Sequence, residues 1–244
     1  MKTLRIIFTV LTISLFTFNG TSQVSGFLGK KNVISASLFM KSSFIMPNKN
    51  AKNGYFSFND HYSIEFERVI NRRFSIKVHG TTFDTKFNLV SNDNYNDQYL
   101  HDFSTKAIGM DFVWYKQSSL APLGAYFSTG FDVFFNDVSI DTLKANLGTA
   151  DYEYLLLGYQ RVNTPNLSVI HAGINIKSGV KQIFLNCISF DLNFQLGAIL
   201  TKSDLGEPVN NYNLGDENVI KERVGTRLWG HYLWGVNCSV GFVF

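Results

Sequence analysis

Along most of the chain, apolar and polar residues alternate with a period of two, the pattern of strands whose successive side chains point to opposite faces. The clearest case is the last stretch, 229–244. Gly230, Tyr232, Trp234, Val236, Cys238, Val240, Phe242 and Phe244 share a predominantly apolar face, and His231, Gly235, Asn237, Ser239 and Gly241 share the other. Such a run exceeds the ~3–10 residues of an ordinary globular strand. It suits a transmembrane β-strand, which needs about 9–11 tilted residues to cross the hydrocarbon and is free to project beyond it.

Seven earlier segments carry the same alternation. The first, 31–41, sets Ile34, Ala36, Leu38 and Met40 against Val33, Ser35, Ser37 and Phe39. The second, 58–69, puts Tyr62, Ile64 and Phe66 outward and His61, Ser63, Glu65 and Glu67 inward. The third, 73–84, shows Phe74, Ile76 and Val78 against Ser75, Lys77, His79 and Thr81. The fourth, 105–116, alternates Ile108, Met110, Phe112 and Trp114 with Ala107, Gly109, Asp111 and Tyr115. In the fifth, 122–136, Phe127, Phe131, Val133 and Phe135 face Tyr126, Ser128, Gly130 and Asp132 across the strand; Pro122 stands at its start, where no ladder bond is yet required. The sixth, 166–177, has Ile170, Ile174 and Ile176 outward and His171, Asn175 and Lys177 inward, with a turn read at 178–181. The seventh, 183–200, offers Ile188, Phe190, Leu192, Phe194 and Leu196 against Ser189, Asp191, Asn193 and Gln195, and a polar loop over 201–226 leads into the last strand.

The expected class is therefore all-β: a closed antiparallel eight-stranded transmembrane β-barrel. Its connections alternate long and short, as short periplasmic turns and four long extracellular loops require. A β-sandwich has no reason to gather every long connection at one end.

The final strand also resembles the C-terminal strand of the small, porin-like β-barrels of Gram-negative outer membranes. The residues that carry the likeness are Tyr232, Trp234, Val236, Val240, Phe242 and the terminal Phe244. In that family such a strand is the assembly signal, so the resemblance implies the barrel-assembly machinery and outer-membrane lipids as partners.

Composition fits this picture without deciding it. The chain has 244 residues, 45% hydrophobic and 15% aromatic, with 23 Phe and 11 Tyr but only 17% charged. A barrel dilutes lipid-facing residues one-to-one with bore residues. Lys2 and Arg5 precede an apolar run over 6–18, followed by Asn19, Gly20, Thr21, Ser22 and Gln23. That order predicts a secretory signal peptide over 1–22, cleaved near Ser22 or Gln23, ahead of one barrel domain over 23–244. No cysteine lies near the cleavage region, so no lipid anchor is expected there. The net charge of +3 includes Lys2 and Arg5 and gives no basis for a nucleic-acid partner. Cys187 and Cys238 fall on opposite face parities, so their Cβ vectors diverge if the two strands pair, and two free thiols are expected.

An eight-stranded barrel has an interior just wide enough to be filled by side chains. Glu65, Glu67, Asp111, Asp132 and Asp191 are set to meet Arg73, Lys77 and Lys177 there, a bore charge network that must pair or stay hydrated. The plain reading is a plug of salt bridges; the sharper one is a narrow passive channel through the same carboxylates. His61, Ser63 and Glu65 offer an imidazole two residues from a hydroxyl with an acid nearby, superficially the set of outer-membrane lipid A deacylases. Their parity, however, turns them into the bore, away from acyl chains.

His61, His79, His101, His171 and His231 lack zinc-ligand spacing. Asp93, Asn94, Asn96 and Asp97 could offer oxygens to Ca²⁺ but lack the glycine and terminal glutamate of an EF-hand. No cofactor is expected. Tyr55, Tyr95, Tyr99, Tyr152, Tyr154, Tyr159 and Tyr212 in the long connections fit either a recognition surface or an aromatic girdle. The function expected is that of a non-enzymatic integral outer-membrane protein, structural or adhesive, whose surface ligand, if any, the sequence does not name.

Overall fold

The computed structural model describes residues 26–42, 58–88, 100–139, 166–200 and 217–244. Residues 1–25, which hold the presequence, lie outside the described residues. So do the Asp93–Asp97 cluster and the tyrosines of the long connections.

Eight strands follow one another: β1 (Asn32–Ser42), β2 (Phe58–Asn71), β3 (Phe74–Asn88), β4 (Leu100–Tyr115), β5 (Gly124–Ser139), β6 (Asn166–Phe184), β7 (Ile188–Ile199) and β8 (Trp234–Val243). Helix α1 (Glu217–Tyr232) stands between β7 and β8. Every strand pairs antiparallel with its sequence neighbour, and β1 pairs with β8 from Val33 opposite Val243 to Met40 opposite Val236. That last pairing closes the barrel and leaves no sheet edge. The expected eight-stranded closed fold is what the chain forms.

The alternation decides which way each side chain points. Ile64, Ile108, Phe131, Ile174, Leu192 and Val240 are exposed on the outer wall, while Glu65, Asp111, Asp132, Lys177 and Asp191 are buried in the bore. Short connections lie at one end: Arg72 and Arg73 between β2 and β3, residues 116–123 between β4 and β5, and residues 185–187 between β6 and β7. All four long connections lie at the other.

Two elements differ from the sequence reading. The expected turn at 178–181 is instead the continuation of β6, which runs to Phe184. Gly179 is there for space: a Cβ on it would lie 2.5 Å from that of Asn193 and 2.9 Å from the Tyr126 ring. The true turn uses Leu185 and Asn186, both at positive φ, a conformation that asparagine tolerates better than most residues. Cys187 closes it, donating from its amide to the Phe184 carbonyl at 3.1 Å. Cys238 sits opposite Leu192, well along the strand from Cys187, and both thiols are free.

The second difference is larger. Residues 229–232 end a helix rather than begin a strand, because Ile220, Val224, Leu228 and Tyr232 recur every four residues and form one buried stripe. They pack on Phe83, Phe103, Phe134, Val138, Val169 and Ile199 in the mouth of the barrel at its long-connection end. A smaller apolar cluster of Val69, Val113, Tyr115, Ala121 and Tyr126 fills the short-turn end.

Candidate functional site

Between these apolar ends lies the ionic layer of the bore. Lys77 Nζ stands 3.1 Å from Glu65 Oε2 and 3.5 Å from Asp191 Oδ2. Lys177 Nζ lies 2.6 Å from Asp111 Oδ2, and Lys181 pairs with Glu67 and reaches Asp191 Oδ2 at 3.8 Å. The His79 ring bridges two carboxylates, with Nε2 2.6 Å from Asp132 Oδ1 and Nδ1 3.6 Å from Asp111 Oδ2. Neutral donors complete the set. Tyr115 donates its hydroxyl to Glu67 Oε1 at 2.7 Å, and Tyr126 donates to Asp191 at 2.9 Å. Ser37 donates to Glu65 Oε1 at 3.1 Å.

All of these side chains are buried, so each charge is stabilised by its partners or not at all. The layer also depends on what is missing. On Gly109 a Cβ would fall 2.1 Å from Asp132 Oδ1 and 2.4 Å from His79 Nε2; on Gly130 it would fall 2.1 Å from Asp111 Oδ1. Side chains at those two positions would displace the pairs.

Six of the seven residues predicted for the charge network stand in the bore: Glu65, Glu67, Lys77, Asp111, Asp132 and Asp191. Arg73 does not. It is exposed in the β2–β3 turn, where its amide donates to Asn71 Oδ1 at 2.9 Å, because the turn takes Arg72 and Arg73 out of the alternating register. Lys181 fills the place: β6 continues through the segment 178–181 that the sequence reads as a turn and carries this side chain into the bore.

Tyr232 is the second correction. It is not on the lipid-facing side of the last strand but buried at the end of α1, donating its hydroxyl to Asp132. Asn175 Nδ2 donates both to Asp132 Oδ2, at 2.7 Å, and to the Tyr232 oxygen, at 3.0 Å. The other five residues of the terminal pattern, Trp234, Val236, Val240, Phe242 and Phe244, do lie on the outer face or at its end.

The helix is tied to the barrel by polar contacts as well as by its apolar stripe. Arg227 Nε donates to the Lys86 carbonyl at 2.9 Å, and Arg227 Nη2 to Thr85 Oγ1 at 3.2 Å. Thr85 Oγ1 also lies 2.9 Å from His231 Nε2. His171 Nε2 donates to the Lys221 carbonyl at 3.0 Å, which leaves Nδ1 to accept from Asn136 Nδ2 at 3.0 Å. Burial beside Arg227, His61 and Lys41 holds the His231 imidazole well below its ordinary value, hence neutral.

The His61, Ser63 and Glu65 set is assembled for packing. His61 stacks on Phe83 with ring centroids 3.7 Å apart, Ser63 Oγ accepts from Thr81 at 3.1 Å, and Glu65 is held by Lys77. Beneath α1 a cavity of about 20 Å³ is lined by His61, His79, Asp132, Gln195 and Tyr232, among others, room for a single water. Among the described residues no group of three or more His, Cys, Asp or Glu is arranged to hold a metal ion.

No family model matches the chain, and no curated protein matches it either. Solved structures do. The N-terminal β-barrel domain of Pseudomonas aeruginosa OprF aligns over 88% of this chain and 99% of its own, at 10% identity and a TM-score of 0.41. Neisserial surface protein A aligns over 87% of this chain and 96% of its own, at 10% identity and a TM-score of 0.46. Ail, the attachment invasion locus protein of Yersinia pestis, aligns over 88% and 99%, at 10% identity and a TM-score of 0.39. Independently of these likenesses, the closure of β1 on β8 assigns the chain its fold: an eight-stranded antiparallel β-barrel.

Proposed function

We propose that this chain is an integral outer-membrane β-barrel without catalytic activity, which holds its long connections outside the cell in a structural or adhesive role. One observation carries the reading: the barrel is inside out relative to a water-soluble protein. Exposed Ile, Leu, Phe and Val side chains circle the wall, while lysines and carboxylates are buried in the bore. In water so large an apolar surface would drive aggregation; in a bilayer it is the solvated face.

The remaining parts of the proposal follow from this orientation. A cleaved presequence delivers the chain across the inner membrane, and the barrel-assembly machinery inserts it through Trp234, Val236, Val240, Phe242 and Phe244. The ionic layer and α1 hold the bore shut, which supports a structural barrel over a narrow channel. The stacking of His61 on Phe83 and the pairing of Glu65 with Lys77 support a non-enzymatic reading over lipid A deacylation.

The test is gel mobility with and without boiling, on outer-membrane fractions of expressing cells, combined with protease shaving of the intact cells. The expected result is a band whose mobility shifts only on heating and a protected core that loses only its long connections. A band in the soluble fraction with no heat shift would overturn the proposal. Planar-bilayer recordings should show no stepwise openings, and lipid A from expressing cells should keep its mass whether or not Ser63→Ala is present.

A further inference from the structure

The outer wall changes character toward the short-turn end of β3 to β5. Phe74, Trp114 and Phe127 stand side by side in one outward row, and Ile76, Phe112 and Thr129 form the next row toward the middle of the wall. Three of these rings cluster. The Trp114 centroid lies 5.6 Å from that of Phe74 and 6.5 Å from that of Phe112, and Phe74 and Phe112 are 6.4 Å apart. A tryptophan in such a cluster suits the boundary between hydrocarbon and headgroups, where its ring meets apolar neighbours on one side and polar ones on the other.

Beyond this row the wall becomes cationic. Arg72 and Arg73 form the β2–β3 turn, and Lys116 opens the β4–β5 connection. The backbone holds these two connections together: the Arg72 carbonyl accepts from the Ala121 amide at 2.9 Å, and the Arg73 carbonyl from the Tyr115 amide at 2.8 Å, one residue before Lys116. Arg68 nearby is half-buried and donates Nη1 to Asn32 Oδ1 at 2.6 Å. Arg72, Arg73 and Lys116 are exposed instead, and their side chains make no hydrogen bond or ion pair with another described residue. Residues 68–76 and 112–129 contain no Asp or Glu. At the long-connection end of β2 to β5, by contrast, exposed Asp60, Asp84, Asp102 and Asp137 stand among Lys86 and Lys106.

We propose that this corner of the wall retains an anionic glycerophospholipid of the phosphatidylglycerol class. Its phosphate sits among Arg72, Arg73 and Lys116, and its acyl chains lie on Phe74, Trp114 and Phe127 and run toward the middle of the wall. Each guanidinium offers parallel N–H groups that match two phosphate oxygens. A headgroup that also carries an amine or a choline brings one more cation to a corner that has no carboxylate to receive it. The corner therefore selects net negative charge. Its place agrees with the orientation of the barrel: with the long connections outside, the short turns lie in the inner leaflet, the one built of glycerophospholipids. The inference rests on the membrane reading above and names the lipid class that one end of the barrel takes.

The experiment is native mass spectrometry of the full chain released from detergent micelles, after addition of palmitoyl-oleoyl phosphatidylglycerol or of the phosphatidylethanolamine or phosphatidylcholine with the same chains. One phosphatidylglycerol should be retained about tenfold better than either of the others, a difference of about 1.4 kcal/mol. Arg72→Gln, Arg73→Gln and Lys116→Gln combined should bring the three lipids to within about twofold of one another, since the attraction that separates them is electrostatic. Trp114→Ala should lower retention of all three alike, because the rings meet the chains and not the headgroup. Lys86→Gln with Lys106→Gln, which removes positive charge at the other end, should leave the preference unchanged. Inorganic phosphate should not displace the lipid.

Equal retention of the three lipids by wild type would overturn the proposal. So would loss of the preference in the Lys86 and Lys106 variant, which would make the effect one of net charge and not of this corner. Displacement by inorganic phosphate would make it a site for a free anion, and preferential capture of a soluble cell-wall muropeptide would make it a cell-wall contact; either result counts against a lipid site. A heat-shifted band in the same samples shows that the barrel itself is intact, so absence of lipid selectivity with that band present counts against the corner alone. Absence of the band from wild type would sink the membrane reading and the corner together.

Discussion

The middle of the bore and its mouth are filled by the same barrel in opposite ways. In the middle, six strands supply charged side chains directly: Glu65 and Glu67 from β2, Lys77 and His79 from β3, Asp111 from β4, Asp132 from β5, Lys177 and Lys181 from β6, Asp191 from β7. At the mouth, Phe83, Phe103, Phe134 and Ile199 would leave an apolar opening, and α1 closes it with Ile220, Val224 and Leu228. A filling made by strands cannot be lost without opening the barrel, whereas one made by a returning helix can be altered while the strands stay paired. The middle therefore governs whether the barrel exists, and the mouth governs what its outer end presents. Tyr232 belongs to both, ending α1 and donating its hydroxyl to Asp132.

The largest effect should come from the middle. Asp111→Ala leaves Lys177 buried without its nearest carboxylate, which lies 2.6 Å away in the native barrel. Removing one member of such a pair costs about 3–5 kcal/mol, read as a lower urea midpoint for loss of the heat-shifted band. Asp111→Leu with Lys177→Met should recover much of it, since the uncompensated charge is gone. If Asp111→Ala unfolds like wild type, the ionic layer is not what holds the barrel.

At the mouth, Leu228→Ala should cost about 2–4 kcal/mol of local packing, but as freer hydrogen exchange and faster proteolysis within α1. The urea midpoint of the barrel should barely move. A fall of the whole barrel with α1 would abolish the distinction between the two regions.

Tyr232→Phe removes the hydrogen bond to charged Asp132 and the one accepted from Asn175; the first alone costs about 1.5–3 kcal/mol if the barrel cannot relax and less if water enters. Its exchange signature should spread from α1 to Asn175 and Asp132, unlike that of Leu228→Ala.

Mild acid should act most gently, and first at the mouth. His231 is held neutral in the fold with its imidazole well below the ordinary value, so the unfolded chain binds a proton there that the folded one does not. Stability contributed at this position is present above about pH 6.5 and falls as pH drops below it. Amide exchange in α1 should quicken between neutral and mildly acid pH, and His231→Gln should blunt the change. An α1 that is equally protected at both pH values would count against a neutral, buried His231.

How much of this was readable beforehand follows from the range of each interaction. The outer wall was legible nearly residue by residue, because one face per strand is set by alternation alone and a slip of one residue would invert it. Ile64, Ile108, Phe131, Ile174 and Leu192 all point as the period requires. Lys181 was hidden by Gly179, since glycine beside serine reads as a turn when its purpose is to admit the Tyr126 ring from β5. Helix α1 was hidden by its own end: Tyr232 and Trp234 continue the β8 alternation by parity, although Ile220, Val224 and Leu228 already carried a four-residue spacing.

By itself, the order of apolar and polar residues determined eight strands, their number-by-number pairing into a barrel, and the face on which each side chain falls. These depend on neighbours in the chain and on a period of two. Only the tertiary structure decided that His79 joins Asp111 to Asp132, that Lys181 rather than Arg73 meets Glu67, and that a helix closes the mouth. The Lys181–Glu67 pair crosses the bore between β6 and β2, and the His79–Asp132 pair spans β4 over Gly109; the curvature that brings such groups within bonding distance exists only once β1 has met β8.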